Sequence, residues 1–176
     1  MANLLTLNIM DGYTRPVVLL EKDVTCLLDT GADIPVWTQG SAALGQAFMA
    51  EKIEGKKFLL SGFGKEPEIV EAYRISDLVL RGEDGDKIVF KSLTIACTLR
   101  PYMVANLILP ATAFSHMNYT VKNIEVENPV VEICHTKTEY SVSPIYNTVD
   151  NRIVERVYSF ANVRRLGFSD IFRYQP

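Results

Sequence analysis

The stretch VTCLLDTGADIPVW, residues 24–37, constrains the fold more than any other part of the chain. Apolar and small residues lead directly into Asp29, and Thr30 and Gly31 follow it. Such a lead-in is typical of a buried strand, so the pattern predicts a carboxylate at the end of that strand. Burying a carboxylate is costly unless the group has a partner or a chemical role. Asp29 is therefore the first candidate for a functional residue.

The residues after Asp29 predict a sharp, rigid turn. Gly31 permits unusual dihedral angles and close approach of another backbone, and the Thr30 hydroxyl can hold the turn through a hydrogen bond. If a second carboxylate faced Asp29, the pair would share one proton, because two adjacent carboxylates do not both ionise. Such a pair activates water for attack on a peptide carbonyl, which is the known chemistry of the aspartic protease dyad. The motif occurs once, so the second carboxylate must come from another copy of the chain across a two-fold axis.

Length and composition indicate one globular domain. The chain has 176 residues, of which 48% are hydrophobic, and a net charge of −3. A net negative charge does not predict a basic surface that would bind nucleic acid. No segment of the sequence is long and apolar enough to span a membrane. The N-terminal sequence MANLLTLNIMDGY lacks the basic and long apolar regions of a signal peptide. We therefore expect no nucleic-acid or membrane partner and a cytoplasmic location.

The three cysteines, Cys26, Cys97 and Cys134, are odd in number and widely separated. They fit neither a disulfide framework nor the spacing of metal ligands. Each lies in an apolar run, so we expect three buried thiols in a reducing compartment.

The other candidate ligands predict no metal site either. His116 and His135 are far apart in sequence, and we expect both to be structural or surface residues. Asp84 and Asp86 flank Gly85 as in a tight turn, without the spaced ligands of a calcium loop. We therefore expect no metal and no cofactor.

The pattern of the chain is β-rich for its first two-thirds, with a short helix at 41–49 that has Ser41 as its N-cap. A second short helix is predicted after Pro110. Residues 151–166 place apolar side chains at helical spacing, but their β-branched content also allows a strand. We expect three hairpins, over residues 56–75, 76–99 and 119–135.

The segment LLDTGAD resembles the active-site motif of retropepsin-like aspartic proteases, the single-domain dimeric relatives of pepsin. A hairpin precedes it, and a glycine-containing hairpin and the strand–helix element NLILPATAF follow it in the order of that family, so the resemblance covers roughly residues 3–134. It implies a mostly β, closed barrel-like acid-protease domain at 1–135, with one or two short helices. Residues 136–176 would form a C-terminal extension.

The resemblance also implies the activity of an aspartic endopeptidase that acts on peptides or proteins as a homodimer. The catalytic turn would be Asp29, Thr30 and Gly31, with Thr30 bonding across the dimer and Gly31 lying against substrate backbone. Substrate backbone would also contact Ala32 and Asp33. The tip of a flap that closes over the peptide would be Ser61, Gly62, Phe63 and Gly64. Residues packing under the catalytic turn would be Leu107, Ile108 and Leu109.

Two departures from the family pattern keep alternatives open. Pro110 stands where the family has glycine, and Ala111 and Thr112 stand where retroviral members carry an arginine. One alternative is a catalytically silent retropepsin-like module for dimerisation or peptide binding, and another is a structural β-domain with an accidental motif. The extension at 136–176 is either an extra helix or strand packed on the core, or a segment that stabilises the dimer or blocks the cleft.

Overall fold

The computed structural model describes residues 3–13, 15–62, 65–114, 117–122, 128–142 and 157–159. Within these ranges the chain is mostly β, as predicted, with one α-helix, α1 (Gly40–Ala47), and two short 3-10 helices, Glu21–Asp23 and Ala111–Phe114. The strands are β1 (Asn3–Asn8), β2 (Val17–Leu19), β3 (Thr25–Asp29), β4 (Val36–Trp37), β5 (Met49–Gly62), β6 (Lys65–Arg81), β7 (Lys87–Cys97), β8 (Leu107–Pro110), β9 (Asn118–Lys122), β10 (Val130–His135), β11 (Glu139–Val142) and β12 (Val157–Ser159).

The strands form two open sheets. The small sheet is antiparallel with the order β1-β10-β9, and the large one has the order β12-β5-β6-β7-β4-β8-β3-β2, with β11 beside β7. A barrel closes when its first and last strands pair. In the described residues β2 pairs only with β3 and β12 only with β5, so the large sheet ends at two three-residue strands. The expectation of a closed barrel is therefore wrong.

The three predicted hairpins are present as β5–β6, β6–β7 and β9–β10. The turn between β6 and β7 has the predicted Asp-Gly chemistry. Asp84 Oδ1 accepts a hydrogen bond from the Asp86 N–H at 3.0 Å. Gly85 has φ +90°, a left-handed conformation that favours glycine.

Helix α1 is confirmed, but it begins at Gly40, and its N-cap is Gln39 rather than Ser41. A main-chain hydrogen bond fixes the start of this helix, since the Gly40 N–H donates to the Thr98 carbonyl at 2.9 Å. After Pro110 the predicted short helix is one turn of 3-10 helix, Ala111–Phe114, and strand β9 begins soon afterwards.

The C-terminal extension contributes two parallel strands, β11 against β7 and β12 against β5. Of the two alternatives for 151–166, the structure has a strand at Val157–Ser159, and the rest of that interval lies outside the described residues.

The large sheet has apolar packing on both faces. Neighbouring residues alternate between two buried clusters: Leu28 of β3 and Leu109 of β8 belong to one, and Leu27 and Ile108 to the other. Both strands of the β3–β8 pair therefore lie inside the protein.

The cysteines are free thiols, and their environments differ. Cys26 is buried and Cys97 half-buried, whereas Cys134 is exposed, so the prediction of a buried thiol is wrong for Cys134. Alternation along β10 explains this, because Val131 and Ile133 face the core and Cys134 faces outward. In the part of the chain that the structure describes, we find no helix of the length and apolarity needed to cross a membrane.

Candidate active site

Asp29 is the last residue of β3 and is only 6% exposed. Strand β8 runs parallel to β3, in a register that places Cys26 opposite Leu107 and Asp29 opposite Pro110. Strand β4, which follows the Asp29 turn, is antiparallel to β8 on its other side. The chain thus leaves β3, turns, and returns as β4, while β8 inserts between the two. This insertion fixes the catalytic candidate at the end of a buried strand.

Main-chain hydrogen bonds close the turn after Asp29. The Gly31 N–H donates to Asp29 Oδ1 at 2.9 Å, and the Ala32 N–H donates to the Asp29 carbonyl at 3.2 Å. Thr30 is exposed, whereas Gly31 and Ala32 are buried. A carboxylate oxygen that accepts a backbone N–H is held in one orientation. The turn therefore presents a fixed carboxylate and one outward side chain, Thr30.

Asn106 holds the base of this arrangement, although no sequence pattern marked it as a functional residue. The Thr25 N–H donates to Asn106 Oδ1 and the Asn106 N–H donates to Thr25 Oγ1, both at 2.9 Å. The Asn106 carbonyl accepts the Thr38 N–H, also at 2.9 Å. Asn106 therefore ties the start of β3 to the residue before β8 and to the end of β4. The only sequence signal was an asparagine directly before a buried strand.

Strand β5 of the predicted flap hairpin packs against the turn after Asp29. Phe58 and Leu60 of β5 share a buried cluster with Leu27, Ala32 and Ile108. The structure thus brings β3, the turn after Asp29 and the hairpin into one core.

A polar contact also holds the other arm of the hairpin. Glu68 Oε1 accepts a hydrogen bond from the Thr98 hydroxyl at 2.7 Å and lies 2.9 Å from Arg100 Nη2. Thr98 and Arg100 follow β7, so this cluster joins β6 to the segment that leads into β8. It fixes the hairpin relative to the strands that carry Asp29.

The predicted flap-tip residues are only partly described. Ser61 and Gly62 end strand β5, and Phe63 and Gly64 lie outside the described residues. Asp33 is half-buried beyond the turn.

The three residues expected to pack under the turn lie in β8, the strand beside β3. Leu107, Ile108 and Leu109 are fully buried in β8. Ala111 and Thr112 are exposed in the 3-10 helix that follows Pro110.

Tyr119 of β9 is an electrostatic neighbour of Asp29 that no sequence pattern marked. Burial raises the pKa of the Tyr119 phenol to about 12, and the negative charge of Asp29 adds to the shift. Its ring also contacts Phe114, with ring centroids 5.2 Å apart. Asp29 is the one carboxylate in the buried core of the described residues, and its charge acts on β9.

Within the described ranges, no group of three or more His, Cys, Asp or Glu side chains is placed to hold a metal ion. The chemistry available at Asp29 is that of a positioned carboxylate. It can accept or donate a proton and can orient a water molecule. No family, curated protein or solved structure with which we compared this chain matches it.

Proposed function

We propose that this chain is an aspartic endopeptidase whose residues 1–135 form an acid-protease-type domain. Two Asp29 carboxylates, one from each subunit of a homodimer, would share a proton and activate a water for attack on a peptide carbonyl. Thr30 would contact the partner turn, and substrate backbone would lie against Gly31, Ala32 and Asp33. The hairpin tip at residues 61–64 would cover the bound peptide and exclude water.

The observation that carries this proposal is the setting of Asp29. A carboxylate at the end of a buried strand, bonded by the Gly31 N–H and flanked by the inserted strand β8, is fixed before any substrate arrives. Electrostatic preorganisation of this kind is a large source of catalytic rate. The exposed Thr30 beside it leaves the turn accessible to a second subunit.

The second candidate is a peptide-binding or dimerisation module without turnover. Pro110 favours it, because this residue lies opposite Asp29 and its ring fixes φ where glycine would allow closer packing. A statine-type transition-state mimic separates the two candidates. A working dyad binds the mimic tightly and is inhibited by it, whereas a silent module need not bind the mimic at all.

We place the reaction in the cytoplasm. The three cysteines are free thiols, and this fits a reducing compartment.

The first test is cleavage of a peptide library by the wild-type chain and by Asp29→Asn. Because the amide cannot act as the base, we expect Asp29→Asn to lower kcat/KM by at least about 10³-fold while dimerisation persists. Asp11→Asn is the matched control, since Asp11 is exposed and lies outside the site. Wild-type cleavage rates in Asp29→Asn would refute the proposal.

The shared dyad is tested by mixing subunits. In an equimolar, fully exchanged mixture of wild-type and Asp29→Asn chains, activity per wild-type chain should fall to about half, because only pairs of wild-type subunits carry two carboxylates. Activity that is unchanged by mixing, or that resides in a monomer, contradicts a shared site. A bell-shaped pH profile on the acidic side of neutral is expected of the wild type.

A further inference from the structure

The hairpin formed by β5 and β6 extends beyond the strand that supports it. Pairing of β5 with β6 continues to Gly62 opposite Lys65. Pairing of β6 with β7 stops earlier, at Glu71 opposite Cys97. Pro67 lies in the unsupported part of β6 and lacks the N–H that a further strand would need there. Among the described strands, the tip-side half of the hairpin therefore has a neighbour only on the β5 side.

Strand β12 is that neighbour. Val157–Ser159 pairs in parallel with residues 59–61 of β5. The first half of β5 carries charged side chains, whereas residues 58–62 carry none. Charged side chains on an edge strand discourage pairing with another strand. Strand β12 thus covers the part of β5 whose sequence leaves its edge open to pairing.

The C-terminal extension is attached to the large sheet at two places that differ in strength. Strand β11 pairs with β7, and the Val89 N–H of β7 donates to the Thr138 carbonyl at 2.7 Å. The Tyr140 ring of β11 lies against the buried Phe90, with ring centroids 6.2 Å apart. Strand β12 pairs over three residues with β5 alone and ends the sheet. We therefore expect β11 to stay fixed to the core when β12 detaches.

We propose that β12 is a releasable latch on the hairpin. While β12 pairs with residues 59–61 it restrains the tip-side half of the hairpin, and its detachment allows that half to open. Strand β11 anchors the extension in both states. In the proposed protease the hairpin must open to admit a peptide, so the latch limits substrate entry. This consequence for cleavage rests on the proposed function, whereas the restraint on the hairpin does not.

Amide exchange tests the restraint without any substrate. The full chain carries Asp29→Asn, so that self-cleavage is excluded, together with Tyr158→Pro and Ser159→Pro. Successive N–H groups of a strand point to opposite sides, so one of the two prolines removes a donor to β5. Exchange is read at residues 68–70 of β6, where β5 is the paired strand. It therefore reports opening of the hairpin and not the loss of β12 itself.

The matched control is Tyr158→Ala with Ser159→Ala, which keeps both N–H groups. We expect exchange at residues 68–70 to be at least about tenfold faster in the proline variant than in the alanine variant. Equal exchange in the two variants, with the proline variant folded, would overturn the latch.

A disulfide applies the opposite perturbation and decides the matter if the proline variant does not fold. Leu59 and Val157 lie opposite each other in the ladder, at a strand spacing that a disulfide can bridge. In Leu59→Cys with Val157→Cys, exchange at residues 68–70 should be at least about tenfold slower in the oxidised than in the reduced chain. Either single cysteine variant is the control and should not respond to oxidation. A bridge confirmed by mass spectrometry that leaves this exchange unchanged contradicts the latch.

Cleavage kinetics separate the latch from the protease. With Asp29 intact, the proline variant should cleave a peptide with kcat/KM at least about threefold above that of the alanine variant, because peptide enters more readily. Faster exchange in the proline variant with no cleavage by any chain would support the latch and count against the protease. Cleavage at equal rates by both variants would leave the protease standing and overturn the role of the latch in substrate entry.

Discussion

Asp29 and His135 are both buried, at 6% and 1% exposure, but the protein surrounds them differently. Asp29 Oδ1 is bonded within its own turn, by the Gly31 N–H. His135 lies between two acceptors from different segments. Its Nε2 is 2.9 Å from Asp86 Oδ2 and its Nδ1 is 2.7 Å from the Lys137 carbonyl.

His135 therefore belongs to a structural ion pair, whereas Asp29 is a candidate catalytic group. A histidine with acceptors at both ring nitrogens satisfies them only as the imidazolium, with both nitrogens donating. His135 thereby ties the end of β10 to the turn between β6 and β7 and to the residues that lead into β11. The bond from the Gly31 N–H to Asp29 Oδ1 spans two residues and orients the carboxylate within its own turn.

The largest expected effect is on stability, from His135→Ala. This change empties a site that is closed to solvent and leaves Asp86 and the Lys137 carbonyl without their donor, so we expect a loss of about 2–4 kcal/mol in the free energy of unfolding. Asp29→Asn keeps an oxygen for the Gly31 N–H and should change that free energy by less than about 1 kcal/mol. Urea unfolding at pH 6 measures both.

The control for this comparison is Asp77→Asn. Asp77 pairs with Lys91 at the surface, 2.7 Å away, and exposed pairs contribute little. Its unfolding midpoint should stay close to that of the wild type. If His135→Ala is no more destabilising than Asp77→Asn, the structural role assigned to His135 is wrong.

The next effect in size is the pH dependence of stability. Burial opposes the charged form of His135, but the hydrogen bonds to Asp86 and to the Lys137 carbonyl and the charge of Asp86 outweigh it and leave the pKa raised. A raised pKa in the folded state means that the stabilisation is fully present below the unfolded value, about 6.5, and is lost as pH rises through the folded value. Stability should therefore fall as pH rises from 6.5.

The comparison variant is His135→Gln, which lacks this titration but retains His116. Urea unfolding between pH 5.5 and 8.5 should show that the difference in the free energy of unfolding between the wild type and His135→Gln becomes smaller as pH rises. A difference that is constant or that grows with pH would contradict the assigned protonation.

Local patterns in the sequence predicted much of the fold. Alternating apolar residues and the Asp84–Gly85 turn predicted the hairpin of β6 and β7, and the apolar lead-in predicted the buried position of Asp29. The same alternation in VVEICH places Val131, Ile133 and His135 inward and Cys134 outward, a signal that the prediction of a buried Cys134 overlooked.

Other features depend on contacts that no local pattern encodes. Insertion of β8 between β3 and β4 joins residues about eighty positions apart in sequence, and the reciprocal bonds of Thr25 and Asn106 exist only because of it. The partner of β12 and the open ends of the large sheet are likewise set by which strands meet, not by the composition of any one strand.

The smallest expected effect uses Tyr119 as a reporter of the charge on Asp29. Its pKa of about 12 reflects burial first and the negative charge of Asp29 second. Asp29→Asn removes that charge, so the pKa of Tyr119 should fall while burial keeps it above the usual value near 10. NMR of labelled tyrosine, with the signal assigned by Tyr119→Phe, measures the titration.

Asp86→Asn is the control variant, because it removes a charge beside His135 and leaves the charge of Asp29 in place. Asp86 is the partner of His135 and does not contribute to the shift at Tyr119, so its neutralisation should leave the Tyr119 titration in place. A fall in the pKa for Asp29→Asn alone would mean that the Asp29 charge acts across the core on β9, which is expected of a fixed and poorly solvated carboxylate. Equal titrations in both variants would mean that solvent screens Asp29, and a screened carboxylate is a poor candidate for sharing a proton.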